Sequence, residues 1–454
     1  MCQTPCRLRV FSLGSFLLLL FSNIWLIVRL LNANQCPAKK SEEPANVENF
    51  QRIIKDVEPE EARPCKEAEP KPSIQEYDAQ EVEETGFNVN FLLGRWDKHH
   101  LFKMYDYVYV GQNFSILSER FAVCMATQSS LEKLHSIVQV AYQWTGPISA
   151  AVYAAGDDEY FLLHWYVNFL KKCFASIRDR VSFHLLVPKN KLPTGKYPAR
   201  LRQLAETKHE CRKPEAVLKE ILKLRSSETT KWRTKSVYPQ NHMRNLARKN
   251  CQSFNVFLTD IDIIPSWNLA DGLDRFLKST RRRCIGKCAY VIPTYELDDR
   301  AMFPRDKKDL IRLAKKGLAR AFHQKVFIYN QYATNFSRWE AFPDLPDKEV
   351  VVSHNVTNFE FLYEPFYVAP DTVPEHDERF MGYGYTRNSQ VYEMFVAGYQ
   401  FEVLSPIFTI HWGLQGRKGR PPWRERQNSL NRREFEVFKR EVFARYDKDP
   451  LKML

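Results

Sequence analysis

"FNVFLTDIDIIPS", Phe254 to Ser266, decides how the chain is read. Its first half, Phe254 to Thr259, is apolar enough to be a buried strand. Asp260 and Asp262 follow at once, and a second apolar run leads to Pro265 and Ser266. In an extended backbone, side chains two positions apart project to the same side, so the two carboxylates are expected to share a face. Like charges held so close raise each other's pKa unless a cation compensates. A divalent ion with oxygen ligands relieves the repulsion. The same ion can bridge a diphosphate and stabilise its charge as a leaving group. A turn or a helix cap is the other use of aspartate at a strand end.

A strand that runs outward from the core delivers its last residues to the carboxyl edge of a sheet, where open α/β sheets bind ligands. The flanking sequence supplies such a sheet. "YDYVYV" from Tyr105, "FAVCMAT" from Phe121, "ISAAVYAAG" from Ile148 and "VSFHLLVP" from Val181 read as strands. Between them, Leu131, Leu134, Ile137, Val138 and Ala141 recur at helical spacing. Met243, Leu246 and Ala247 form one face of a short helix just ahead of the Phe254 strand. The alternation predicts an α/β domain with a mainly parallel central sheet. The C-terminal "NRREFEVFKREVFARY" reads as an amphipathic helix on its surface. Neither a P-loop nor a glycine-rich dinucleotide fingerprint is present to bind phosphate instead.

With 454 residues, the chain has room for one large domain or two ordinary ones. Hydrophobic residues at 44% and aromatic residues at 13% exclude a wholly disordered chain. A formal charge of +13 points to nucleic acid, an anionic membrane or anionic substrates. The absence of zinc-finger spacing and of RNA-binding motifs sets nucleic acid aside.

Val10 to Val28, "VFSLGSFLLLLFSNIWLIV", carries no charge and is long enough for one bilayer-spanning helix. Arg7 and Arg9 precede it, Arg29 follows, and no small-residue cleavage site closes it. The expected plan is a cytoplasmic tail (1–9), a transmembrane signal-anchor (10–28), an acidic flexible stem (29–100) and a luminal domain (101–454). A cleaved signal peptide is the alternative, and it leads to the same compartment. Acceptor sequons at Asn113, Asn335 and Asn355 agree with a luminal domain. All but Cys2 and Cys6 of the ten cysteines lie beyond the anchor, as suits disulfides in an oxidising lumen. Their pairing is open; Cys284 and Cys288 could bridge locally or pair elsewhere.

"YPQNHMRNLARKN", "FNVFLTDIDIIPS", "VIPTYEL", "TNFSRW" and the long block from "YEPFYVAPDTVPEHDERF" to "FTIHWG" carry a resemblance. Together they resemble the glycosyltransferase family of the dystroglycan-modifying β-1,4-glucuronyltransferase. The same blocks occur in the C-terminal glucuronyltransferase domain of the bifunctional xylosyl/glucuronyltransferase. The resemblance runs roughly from Phe121 to Gly413, with the blocks in order. It implies a GT-A-like fold in a type II Golgi membrane protein. A UDP-sugar donor, a manganese ion (Mn2+) and an inverting transfer of glucuronic acid to a xylose-ended glycan on a glycoprotein are implied with it. The alternatives are an N-acetylglucosaminyltransferase or other UDP-sugar transferase of the same fold, and a non-catalytic luminal glycan-binding protein or partner of another Golgi glycosyltransferase.

Carried onto this chain, the resemblance gives Asp260, Asp262 and His411 to the metal. Thr127, Gln128, Arg244 and Asp260 fall to the donor. An inverting transfer needs a carboxylate base, and the candidates are Asp377 and Glu378 in "HDERF". The acceptor pocket would draw on Tyr295, Glu296, Trp339, Glu364, Phe366, Tyr383 and Asn388. From the residues alone, His411 reads equally as a core histidine, Arg244 as a surface helix arginine, and Glu378 with Arg379 as a loop ion pair. One departure stands out. The family enzyme carries two cysteines shortly before its "TN[YF]SRW" block, where "VFIYNQYATNFSRW" has none.

Overall fold

The computed structural model describes residues 76–77, 89–199, 201, 204, 209–279, 284, 286–416 and 421–454. The expected tail, the anchor at 10–28 and most of the stem lie outside the described residues. Among the described residues, no helix is long and apolar enough to cross a membrane.

The strands, in chain order, are β1 (Glu76–Tyr77), β2 (Arg95–Trp96), β3 (Phe102–Tyr109), β4 (Val123–Ser130), β5 (Ile148–Tyr153), β6 (Val181–Pro188), β7 (His209–Glu210) and β8 (Asn255–Leu258). They continue as β9 (Ile263–Pro265), β10 (Cys288–Ile292), β11 (Thr294–Leu297), β12 (Ala319–Ala321), β13 (Val351–Asn355), β14 (Phe366–Pro370), β15 (Gln400–Ser405) and β16 (Thr409–Trp412). A ten-stranded sheet has the order β13-β15-β10-β14-β8-β4-β5-β6-β3-β2. Beside it, a four-stranded sheet has the order β12-β11-β16-β9.

The sheet is mixed, which corrects the mainly parallel expectation. Strands β8, β4, β5 and β6 run parallel to one another, as do β10 and β15. These central strands are nearly continuous apolar runs, buried on both faces, as parallel strands are. Strand β14, however, enters antiparallel between β8 and β10. The edge strands β2, β3 and β13 are antiparallel as well.

The helix Gln240–Lys249 lies on this sheet. Its Met243, Leu246 and Ala247 pack on Ala126, Ala151, Val256 and Leu258. The C-terminal helix Pro422–Tyr446 docks Phe435, Phe438 and Val442 against Phe380, Tyr392 and Val396. Disulfides join Cys124 to Cys251, Cys173 to Cys211, and Cys284 to Cys288, the last being the local bridge left open by the sequence. The sequon residues Asn113, Asn335 and Asn355 are all exposed.

Candidate functional site

Strand β8 belongs to the large sheet and β9 to the small one, and Asp260–Ile261–Asp262 is the turn between them. The Ile263 amide donates to the Asp260 carbonyl at 3.0 Å, closing that turn. The backbone is therefore not extended here, and the shared-face expectation gives way. The two carboxylates leave the turn toward different partners.

Asp260 meets two guanidiniums. Arg387 Nη2 stands 2.8 Å from its Oδ2, and Arg244 Nη2 stands 3.5 Å from its Oδ1. Both arginines are buried, so Arg244 is no surface residue. The Asp260 side chain lies deep among protein atoms, yet 32% of it still meets solvent. Burial pushes its pKa up, but Arg387 and then Arg244 outweigh that and hold it below the ordinary carboxylate value. Arg244 is fixed by Asn241 Oδ1 at 3.1 Å and Thr386 Oγ1 at 3.2 Å. The Arg387 guanidinium lies over the Phe366 ring at 4.2 Å.

Asp262 turns to the other sheet. In the β9–β16 ladder, Ile263 pairs with His411, and this register sets His411 Nε2 3.7 Å from Asp262 Oδ2. Burial raises the Asp262 pKa, but its contact with His411 brings the net value down. A carboxylate oxygen and an imidazole nitrogen facing each other across two paired strands are a suitable donor pair for a divalent ion. Asp260 is drawn onto its arginines instead. Among the described residues, three ligand atoms lie within 4.8 Å of one another only at Asp97, His242 and Glu378.

Gln128 and Thr127 sit on β4 beside this turn. Gln128 hydrogen-bonds Asp260 and accepts from the Tyr238 hydroxyl. The Thr127 hydroxyl is buried without a hydrogen-bond partner.

His323 was not singled out by sequence. It adopts a left-handed backbone with φ of 61°. Its amide donates to Glu296 Oε1 at 2.9 Å, and its ring stacks on Phe322 at 3.9 Å. Burial pushes its pKa down to about 4, with His411, Asp260 and Arg387 in its field. Glu296 is fully buried and also accepts from Arg320 Nε at 2.7 Å and the Gln415 amide at 3.1 Å. Gln415 Nε2 stands 3.4 Å from the His411 ring nitrogens. Glu296 thus positions the residues around His411.

The remaining expected acceptor residues divide into two groups. Tyr295 and Trp339 are core residues whose polar atoms bond Glu340 at 2.8 Å and the Leu404 carbonyl at 2.8 Å. Phe366 is buried beneath Arg387. Glu364, Asn388 and Tyr383 lie nearer the arginines. Glu364 Oε2 accepts from Asn330 Nδ2 at 2.8 Å. Burial raises the Glu364 pKa more than Arg387 and Arg244 lower it, and Asp260 adds to the rise. The Asn388 backbone also hydrogen-bonds Glu364, while its side chain donates to the Phe361 carbonyl at 3.2 Å. Arg424 lies 3.6 Å over the Tyr383 ring.

Asp377 and Glu378 have other neighbours. Asp377 Oδ1 accepts from Arg379 Nε at 3.0 Å, so Arg379 pairs with Asp377 and with Glu441. Glu378 Oε1 accepts from Asn245 Nδ2 at 3.1 Å, and its Oε2 lies 3.5 Å from His242 Nε2. Neither carboxylate is bonded to the Asp260 turn. Sequence reasoning missed Arg387 too. The signal available for it was charge balance, since one arginine cannot neutralise both Asp260 and a bound anion.

An acidic turn at the carboxyl end of a central strand, with guanidiniums on one side and a histidine on the other, belongs to a GT-A-like transferase. The family model described as glycosyl-transferase for dystroglycan matches residues 122–447, and the chain belongs to that family of glycosyltransferases. It is 31% identical to β-1,4-glucuronyltransferase 1 of Homo sapiens over 331 residues, covering 72% of this chain and 77% of that one. Its identity to the Danio rerio counterpart is 28% over 333 residues, 72% of this chain and 75% of the other. With the xylosyl- and glucuronyltransferase LARGE2 of Mus musculus it shares 25% over 290 residues, 64% of this chain and 34% of that longer one.

Proposed function

We propose that this domain is an inverting, manganese-dependent transferase that moves glucuronic acid from UDP-glucuronate to a xylose-terminated glycan on a glycoprotein. In this reading it works in the lumen of the Golgi apparatus, held to the membrane by the segment at 10–28. The observation that carries the proposal is Asp260 clasped by Arg387 and Arg244 beside the Asp262–His411 pair.

Asp262 and His411 would hold the ion, with Asp260 between it and the arginines. When bound, the ion offsets the charge of the departing diphosphate. The chain's own residues do the rest. Arg244 and Arg387 both face this site, and a pair of guanidiniums suits a diphosphate or a uronate carboxylate. A guanidinium can pair with a uronate carboxylate and finds no such partner on a neutral N-acetylhexosamine, which favours the glucuronate donor. Thr127 offers an unpaired buried hydroxyl, and a ligand that bonds it relieves its desolvation cost. Glu364 is the proposed base. Its raised pKa and its place among the guanidiniums suit a carboxylate that takes the acceptor hydroxyl proton as the anomeric carbon is attacked.

The test is turnover by the full chain with a panel of UDP-sugars and a xylose-ended acceptor, with manganese or with chelator. Turnover of UDP-glucuronate that chelator abolishes is expected. Equal turnover of UDP-N-acetylglucosamine, or turnover indifferent to chelator, overturns the reading. UDP binding without turnover of any donor points to the non-catalytic alternative.

A further inference from the structure

A second cluster of ligand-type side chains lies behind the helix Gln240–Lys249. His242 and Arg244 are two positions apart, and two positions on an α-helix amount to about 200° of rotation. Arg244 faces the Asp260 turn, so His242 faces away from it. There its Nε2 lies 3.5 Å from Asp97 Oδ2 and 3.5 Å from Glu378 Oε2. The ring is 1% exposed, and neither of its nitrogens has a hydrogen-bond partner.

We propose that Asp97, His242 and Glu378 bind a divalent transition-metal cation that fastens the N-terminal edge of the domain to this helix. The separations are the first reason. At 3.5 Å each edge is too long for a hydrogen bond, which spans about 2.7–3.2 Å. Ligand atoms about 2.1 Å from a tetrahedral ion stand about 3.4 Å from one another. The third edge, Asp97 to Glu378, falls within 4.8 Å, so the three atoms converge on one point.

Charge is the second reason. Two carboxylates face the ring, and among the described residues neither forms an ion pair with lysine or arginine. Arg95, a guanidinium within the electrostatic field of Glu378, is spent on Asp106 at 2.8 Å. A dication neutralises the pair.

The third reason is pre-organisation. Asp97 Oδ1 accepts from the Leu101 amide at 2.7 Å and the Phe102 amide at 2.6 Å, while Oδ2 takes only the His99 amide at 3.1 Å and keeps capacity toward His242. Asn245 Nδ2 holds the other oxygen of Glu378 at 3.1 Å. Phe102 packs on the imidazole at 4.7 Å and fixes its plane. Glu378 also borders a cavity of about 800 Å³, from which water can reach the cluster.

The experiment uses the full chain in detergent carrying Asp262→Asn, which disables the Asp260–Asp262–His411 site. After loading with zinc and dialysis against metal-free buffer, mass spectrometry is expected to find one zinc per chain. Adding Glu378→Gln lowers zinc affinity at least tenfold. Stripping zinc from the Asp262→Asn chain lowers its Tm by about 3 °C or more. Zinc content unchanged by Glu378→Gln, or no retained zinc in the Asp262→Asn chain, overturns the proposal. Should the double variant fail to fold, zinc-edge X-ray absorption on the Asp262→Asn chain decides. One imidazole with carboxylate oxygens at about 2.0–2.2 Å supports the site, and sulfur or several imidazoles overturn it.

Discussion

On one face of the helix Gln240–Lys249, Arg244 reaches Asp260 and shares it with Arg387; on the other, His242 looks onto Asp97 and Glu378, which among the described residues form no ion pair with lysine or arginine. Both faces gather carboxylates and a histidine, yet they compensate charge differently. The front supplies fixed guanidiniums and leaves Asp262 and His411 partly in solvent, 35% and 18% exposed. The back buries its imidazole against Phe102, and among the described residues no lysine or arginine forms an ion pair with its two carboxylates. A surface with fixed guanidiniums and polar groups that solvent can reach suits an anionic substrate that comes and goes. A closed cluster with surplus negative charge suits a small ion that stays.

Front-face variants test this contrast most sharply. Asp262→Asn is expected to lower transfer by about 10³-fold while leaving the Tm nearly unchanged, because it removes a proposed metal ligand at a partly exposed turn. Transfer within tenfold of wild type breaks the assignment. Glu364→Gln follows, with a loss in kcat of about 10²-fold or more, unchanged donor affinity and a flattened acid limb in the pH profile. Asp299→Asn, a change near His411 on the other side of the site, is the paired control. If it carries the loss instead, the base lies on the histidine side. Arg387→Ala removes one charge-assisted contact and is expected to weaken UDP-glucuronate binding by about 10–100-fold, measured by calorimetry.

The smallest expected effect separates a buried histidine with partners from one without. His184 Nδ1 accepts from the Tyr107 amide at 2.9 Å, and its Nε2 meets Ser149 Oγ at 3.0 Å. Burial pushes its pKa down to about 3, below the ordinary 6.5. The unfolded chain therefore binds this proton first. Stability is full above pH 6.5 and falls as the pH drops toward the folded value. At pH 5.5 the loss from His184 alone is about 1.5 kcal/mol. Urea midpoints for wild type and His184→Asn at pH 7.5 and 5.5 check it. An equal acid loss in the variant would show that His184 contributes none of it.

Much of this architecture was legible because β4, β5, β6 and β8 each carry a short, largely apolar run, and Asp260 and Asp262 end one of them. Strand β14 was not legible. "FYVAP" is short, and nothing in so short a run states its direction, which a long connection sets. The same limit hid the turn at Asp260. An extended strand and a tight turn both accept Thr-Asp-Ile-Asp, and the choice falls to the pairing of β9 with β16 far along the chain. His323 left no local trace either, since Glu296 and Phe322 hold its unusual backbone. Tyr295 and Trp339 show the opposite failure. Aromatic residues that suit a sugar face also suit a core, and here the core took them.

The pairing of Ile263 with His411 has a consequence for how the protein is made. Asp262 and its histidine meet only after β16 has been added to β9. As the chain emerges from the ribosome, the strands through β8 can fold and close the Cys124–Cys251 bridge long before residue 409 arrives. Competence for chemistry is thus conferred near the end of synthesis. A product truncated ahead of β16 would keep most of its sheet and be inert.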